Sequence, residues 1–140
     1  MNAVIAVCLY LASQTFELPP QILPTILAVE GGKVGTVSKN TNATVDLGPM
    51  QVNSIWLEEM SKTLAMPPQA VRHRLTHDAC FNVFVAAYIL RGEIDAAGGK
   101  FWDGVGHYHS RTPAIKARYL KKITRTWARL FNDPPGGAAR

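Results

Sequence analysis

Apolar residues recur with helical spacing in every run long enough to classify, and strand-like alternation is nearly absent. Residues 3–12, Ala-Val-Ile-Ala-Val-Cys-Leu-Tyr-Leu-Ala, predict a first helix that ends before Pro19-Pro20. Pro20 suits the first position of a second helix reaching Glu30, since the amide that proline lacks has no partner there. Pro24, one turn inside, is expected to kink that helix slightly. From Gly31 to Leu47, glycine, Asn, Thr and Ser with interspersed Val predict a loop or a small hairpin. A short helix is expected around Ser54–Thr63, with Ile55, Trp56 and Met60 available to the core. Pro67-Pro68 introduces another, ending near Leu75.

Asp78 is placed to cap a helix from Ala79 to about Ala96. Its first part, Cys80 to Leu90, is apolar on all sides, which marks the buried centre of a domain. Gly98-Gly99 ends it, and a short helix over roughly Trp102–His109 follows. Thr112-Pro113 reads as an N-cap followed by a first-position proline, opening a last helix to about Phe131. Ile115, Tyr119, Leu120, Ile123, Trp127, Leu130 and Phe131 form its apolar stripe, with the cations mostly off it. The expectation is one all-α domain over residues 1–131 and a disordered tail over residues 132–140, without internal repeats.

Composition agrees with a single globular domain: 140 residues, 47% hydrophobic and 18% charged. The formal charge of +5 allows an anionic partner, such as peptidoglycan, a membrane surface or nucleic acid. The excess lies late, in Arg111, Lys116, Arg118, Lys121, Lys122, Arg125 and Arg129, where a solvated helix face is the first reading. No zinc-finger, homeodomain or RNA-recognition signature accompanies it, so nucleic acid is a weak option. Residues 3–12 have the length of a signal-peptide core and are too short to span a membrane. No Lys or Arg precedes them and no clear cleavage site follows, so they read as a helix of the mature fold, with the export signal absent from this chain.

Glu30 is the chemically informative residue. It closes an apolar helix and is followed at once by Gly31-Gly32. Glutamate is almost never fully buried without a partner or a task. Desolvation disfavours its charge and raises its pKa, which suits a general acid near neutral pH. Downstream, Gly48-Pro49-Met50-Gln51-Val52-Asn53 offers a flexible apolar contact and two amides suited to a sugar and its acetamido arms. Glu30 alone reads more simply as a helix end; with this second motif it does not. His73 and His77 lie one turn apart beside Asp78, and His107 and His109 form another pair, yet no Cys or Glu completes a metal shell. Asn42-Ala43-Thr44 fits a glycosylation sequon, a short pattern with frequent accidental matches.

Four ordered blocks carry a resemblance: Glu30-Gly31-Gly32, Gly48-Pro49-Met50-Gln51-Val52-Asn53, Ala87-Tyr88-Ile89-Leu90 and Gly106-His107-Tyr108-His109-Ser110. From about Cys8 to about Tyr119 the chain resembles the small lytic transglycosylases that accompany secretion, conjugation and pilus systems. It departs from their pattern at Gly31, usually Ser, and at Pro49, usually Leu. The resemblance implies a lysozyme-like fold and non-hydrolytic cleavage of the MurNAc–GlcNAc bond of peptidoglycan glycan strands. Glu30 would be the single catalytic acid, with Asp46 a turn residue. Met50, Gln51, Asn53, Tyr88, Tyr108 and His109 would serve the substrate. Tyr108 is expected to orient Glu30, Tyr88 to do so from beneath or to be plain core, and Asn53 to bind sugar or to tie its loop. The resemblance also implies a Cys8–Cys80 disulfide, hence a periplasmic or envelope location, no cofactor or metal, and a monomer. Rival readings are a muramidase in which Asp46 places water and a catalytically silent peptidoglycan-binding assembly subunit.

Overall fold

The structure, a computed structural model, describes residues 2–132. Asn2 caps helix α1 (Ala3–Thr15), its side-chain oxygen accepting the Ile5 amide at 2.9 Å. One face of the apolar run turns inward through Cys8, Leu9 and Ala12, while Val4, Val7, Tyr10 and Leu11 stay exposed. Helix α2 (Ile22–Glu30) begins two residues after Pro20, because the Gln21 carbonyl accepts both the amide and the hydroxyl of Thr25. Pro24 is therefore the third helical residue, where an amide has no intrahelical partner to lose, and the physical reason for a kink disappears.

The polar stretch after Glu30 forms an antiparallel sheet in the order β1 (Val37–Lys39), β2 (Val45–Leu47), β3 (Val52–Asn53). Ser38 pairs with Asp46 and Asp46 with Asn53, so the small hairpin expected there gains a third strand. The turn between β2 and β3 is held from beneath by Asn82, which is fully buried. Its oxygen accepts the Met50 amide at 2.8 Å, and its nitrogen donates to the carbonyls of Leu47 at 2.8 Å and Leu75 at 2.9 Å. Gly48 adopts φ +67°, and a Cβ there would strike the Leu75 carbonyl and the Asn82 amide.

A 3-10 turn (Ser54–Trp56) leads into α3 (Leu57–Leu64), which buries Met60. Ile55 is 68% exposed instead of in the core, because it sits in a turn whose backbone is capped by Asn53. Helix α4 (Pro68–His77) runs two residues past Leu75. Asp78 then caps α5 (Ala79–Ala96), accepting the Phe81 amide at 3.0 Å. This helix buries Val83, Ala86, Ala87, Leu90 and Ile94 and packs against α1, α4 and α6 (Phe101–His109). Helix α7 (Pro113–Phe131) closes over α2 and α6, burying Tyr119, Ile123 and Trp127. Ile115, Leu130 and Phe131 of its stripe remain exposed. Thr112 makes no side-chain cap; its amide instead donates to the Ser110 hydroxyl at 3.1 Å.

The architecture is an all-α, lysozyme-like domain with a small sheet inserted after α2. A disulfide joins Cys8 of α1 to Cys80 at the start of α5, with Cα atoms 5.4 Å apart. No helix among the described residues is long and apolar enough to cross a membrane. Of the tail expected over residues 132–140, Asn132 caps α7 and residues 133–140 lie outside the described residues.

Candidate active site

Helix α2 delivers Glu30 as its last residue, and Gly31 ends the helix in the left-handed region at φ 68°. Gly32 then packs directly on the β2–β3 turn, where a Cβ would overlap the carbonyls of Gly48 and Pro49 and the Gln51 amide. The acid and the Gly48–Asn53 motif are thus brought together through backbone contact. Between them lies a cleft of about 310 Å³, lined by Glu30, Asp46, Gln51, Asn53, Trp56, Tyr108 and His109 among others.

Burial pushes the Glu30 carboxyl up to about 7, with the Tyr119 hydroxyl opposing, the Asp46 charge adding and the Lys122 charge opposing. Near neutral pH Glu30 can both give and take a proton.

The other expected residues divide. Gln51 lines the cleft, with φ 53° and its amide nitrogen donating to the Gly48 carbonyl at 3.0 Å. Asn53 also lines it, but its amide is spent internally, donating to Thr44 and Asp46 and accepting from Ile55. Met50 is a correction: its side chain is fully buried in the core and does not line the cleft. Its backbone amide donates to Asn82 at 2.8 Å, and its side chain joins the core cluster. Tyr108 lines the cleft, yet its hydroxyl donates to the Met50 carbonyl at 2.9 Å rather than to Glu30. It clamps α6 onto the turn, and burial raises its pKa well above the usual tyrosine value, with Glu30 and Asp46 adding to the effect.

Tyr88 does not reach Glu30. It lines a neighbouring groove that meets the cleft at Trp56 and Ile89, and its hydroxyl donates to Glu59 at 3.1 Å. His109 does line the cleft, stacked on Tyr119 at 4.4 Å with the rings nearly parallel. Burial lowers its pKa, so the ring is neutral at neutral pH. His73 and His77 lie ring to ring at 4.7 Å, and no group of three metal-ligating side chains converges among the described residues.

The residue missing from the sequence reading is Tyr119. Its hydroxyl is buried without a hydrogen-bond partner. It stands near enough to Glu30 to favour the carboxylate, while burial and then the Glu30 charge raise the phenol's own pKa well above normal. The available signal was its polar end within the apolar stripe of α7, a position where Trp or Phe would have been pure core.

No family model matches the chain. Over 135 residues it is 30% identical to the invasion protein IagB of Salmonella typhimurium, covering 93% of this chain and 81% of that protein. The invasion protein IagB of Salmonella typhi gives the same identity and coverage. The chain belongs to the IagB family.

Proposed function

We propose that this protein is a peptidoglycan lytic transglycosylase, cleaving the MurNAc–GlcNAc β-1,4 bond without water and leaving 1,6-anhydroMurNAc ends. One observation carries the reading: Glu30, at the end of α2 in the cleft wall, is held near 7 by burial. A single acid so poised suffices for this chemistry. Protonated Glu30 gives its proton to the bridging oxygen as the C1–O bond breaks. The substrate's own acetamido oxygen stabilises the cation at C1. The Glu30 carboxylate then takes the C6 hydroxyl proton as that oxygen closes on C1, and the acid is restored. Trapping by a hydroxyl of the same ring benefits from high effective molarity.

The disulfide fits an oxidising compartment, so the proposed location is the periplasm or cell envelope. Relatives named for invasion support a setting beside an envelope-spanning secretion, conjugation or pilus apparatus. Gln51, Asn53, Tyr108 and His109 would shape the sugar site, and Tyr88 the adjoining groove.

One observation favours a second reading. Asp46 lines the same cleft and its charge is felt at Glu30, an arrangement in which it would place water for a muramidase. One Asp46 oxygen is engaged by Asn53 at 3.0 Å, which favours a structural role. Mass spectrometry of digested peptidoglycan separates the two, since an anhydro end is lighter than a reducing end by one water. Anhydro ends, retained in Asp46→Asn, support the transglycosylase. Predominantly reducing ends promote the muramidase, and no cleavage promotes a silent binding subunit.

A further inference from the structure

Beyond Glu30 the cleft continues into a second groove of about 450 Å³ between α2 and α7, which shares Glu30, His109 and Ile115 with the first. Its outer wall is cationic, formed by Arg118 and Lys122, one helical turn apart and both exposed. Arg125 and Arg129 follow at the next turns of the same face, so the four cations occupy positions i, i+4, i+7 and i+11. No Asp or Glu lies between Pro113 and Phe131. Two neighbouring cations are neutralised, Lys116 by Asp103 and Arg111 by Glu93. None of the ion pairs among the described residues involves Arg118, Lys122, Arg125 or Arg129.

A solvated face of a basic helix usually alternates its charges or pairs them at i,i+4. This one repels itself, and its Arg118 and Lys122 line the groove beside Glu30, an arrangement that suits an anionic ligand. We infer that Arg118 and Lys122 recognise the carboxylates of the peptide stem borne by the muramyl sugar, so that stem-bearing strands are bound in preference to bare glycan. This rests on the peptidoglycan reading above. The dimensions agree: Arg118 and Lys122 are about 6 Å apart along the helix, and an extended stem of four residues reaches about 14 Å, enough to bring its carboxylates past both. The substituent leaves the same ring whose glycosidic bond meets Glu30, so groove and cleft receive two parts of one residue. Glu30 adds no opposing charge while protonated.

The test uses full-length Glu30→Gln protein, which prevents turnover and removes any influence of Lys122 on the acid. Its sedimentation with intact peptidoglycan is compared with that on peptidoglycan stripped of stems by an amidase. The expected preference for intact material is roughly threefold to tenfold, the size of two exposed charge contacts, and it shrinks with added salt. Arg118→Ala with Lys122→Ala brings the ratio to about one, and Arg118→Lys with native Lys122 retains most of it. Equal binding of the two substrates by the parent overturns the inference, as does an undiminished preference in the double variant. Loss of binding to phosphatidylglycerol vesicles in the double variant, with the substrate ratio unmoved, assigns the stripe to a membrane surface instead. Because binding is read without turnover, a protein that forms no anhydro ends fails the catalytic reading separately.

Discussion

The two walls of the cleft are built on opposite terms. On the sheet side, the polar groups are occupied by one another: Asn82 holds the Met50 turn, Asn53 ties Thr44 to Asp46, and Tyr108 caps the Met50 carbonyl. On the α7 side, the Tyr119 hydroxyl is buried without a partner, and Arg118 and Lys122 stand outside the ion pairs. A wall whose hydrogen bonds are satisfied internally fixes shape. A wall with unmet polar groups is poised for charge or ligand, and Glu30 sits at the seam of the two.

The comparison breaks most sharply at Glu30 itself. Glu30→Gln keeps the shape of the side chain and removes the transferable proton, so cleavage falls by a factor of about 1000 or more, measured as anhydro-end release. Retention of more than a few per cent of the rate would remove Glu30 from the mechanism. The same variant gains stability at alkaline pH. The folded carboxyl titrates near 7, above its ordinary 4.5. Its contribution to stability is therefore complete below about 4.5 and is lost as pH rises through 7. Above that range the charge is buried at a cost of at most about 3 kcal/mol, which the amide avoids. Melting at pH 5 and pH 9 should show the gain at pH 9 alone.

Next in size is the disulfide, which anchors the helix beneath the scaffold wall. Cys8 and Cys80 are 72 residues apart, and the chain-entropy model assigns such a loop about 4 kcal/mol as an upper figure. Denaturation with and without reductant measures it, and two alkylatable thiols in unreduced protein would refute the bond.

Asn82→Ala strips the sheet-side wall of its buried support and leaves the Met50 amide and the Leu47 carbonyl without Asn82. A loss of about 3 kcal/mol is expected by chemical denaturation. A cost below about 1 kcal/mol would show that this wall is not held from beneath. On the opposite wall, Tyr119→Phe should leave stability almost unchanged, since its hydroxyl has no hydrogen bond to lose. Its effect is on titration: the hydroxyl favours the Glu30 carboxylate. Its removal therefore raises the Glu30 pKa and moves the alkaline limb of the rate profile upward by a fraction of a pH unit. An unmoved limb would detach Tyr119 from the acid.

Much of this was legible in the chain because it is local. Helical periodicity, the Asp78 cap, Gly98-Gly99 and the all-apolar opening of α5 each act within a few residues, and the structure follows them. Glu30 stood out for the same reason, an acid closing an apolar helix before two glycines. Where the local signal is ambiguous, particular hydrogen bonds decide. Pro20 and Pro24 both permit a helix start, and the hydrogen bonds to Gln21 decided for Ile22.

The sequence by itself determined the helical class and the central helix, and singled out Glu30 as the candidate acid, because backbone and burial preferences are written at fixed short spacings. Only the tertiary structure decided what surrounds that acid. Met50 turned into the core, Tyr108 toward a carbonyl and Tyr88 into an adjoining groove, while Tyr119, buried as its stripe predicts, stands beside Glu30. Each of these outcomes depends on which backbone groups a fold leaves unpaired and which helix lies opposite. Those are contacts between residues tens of positions apart, and no spacing along the chain records them.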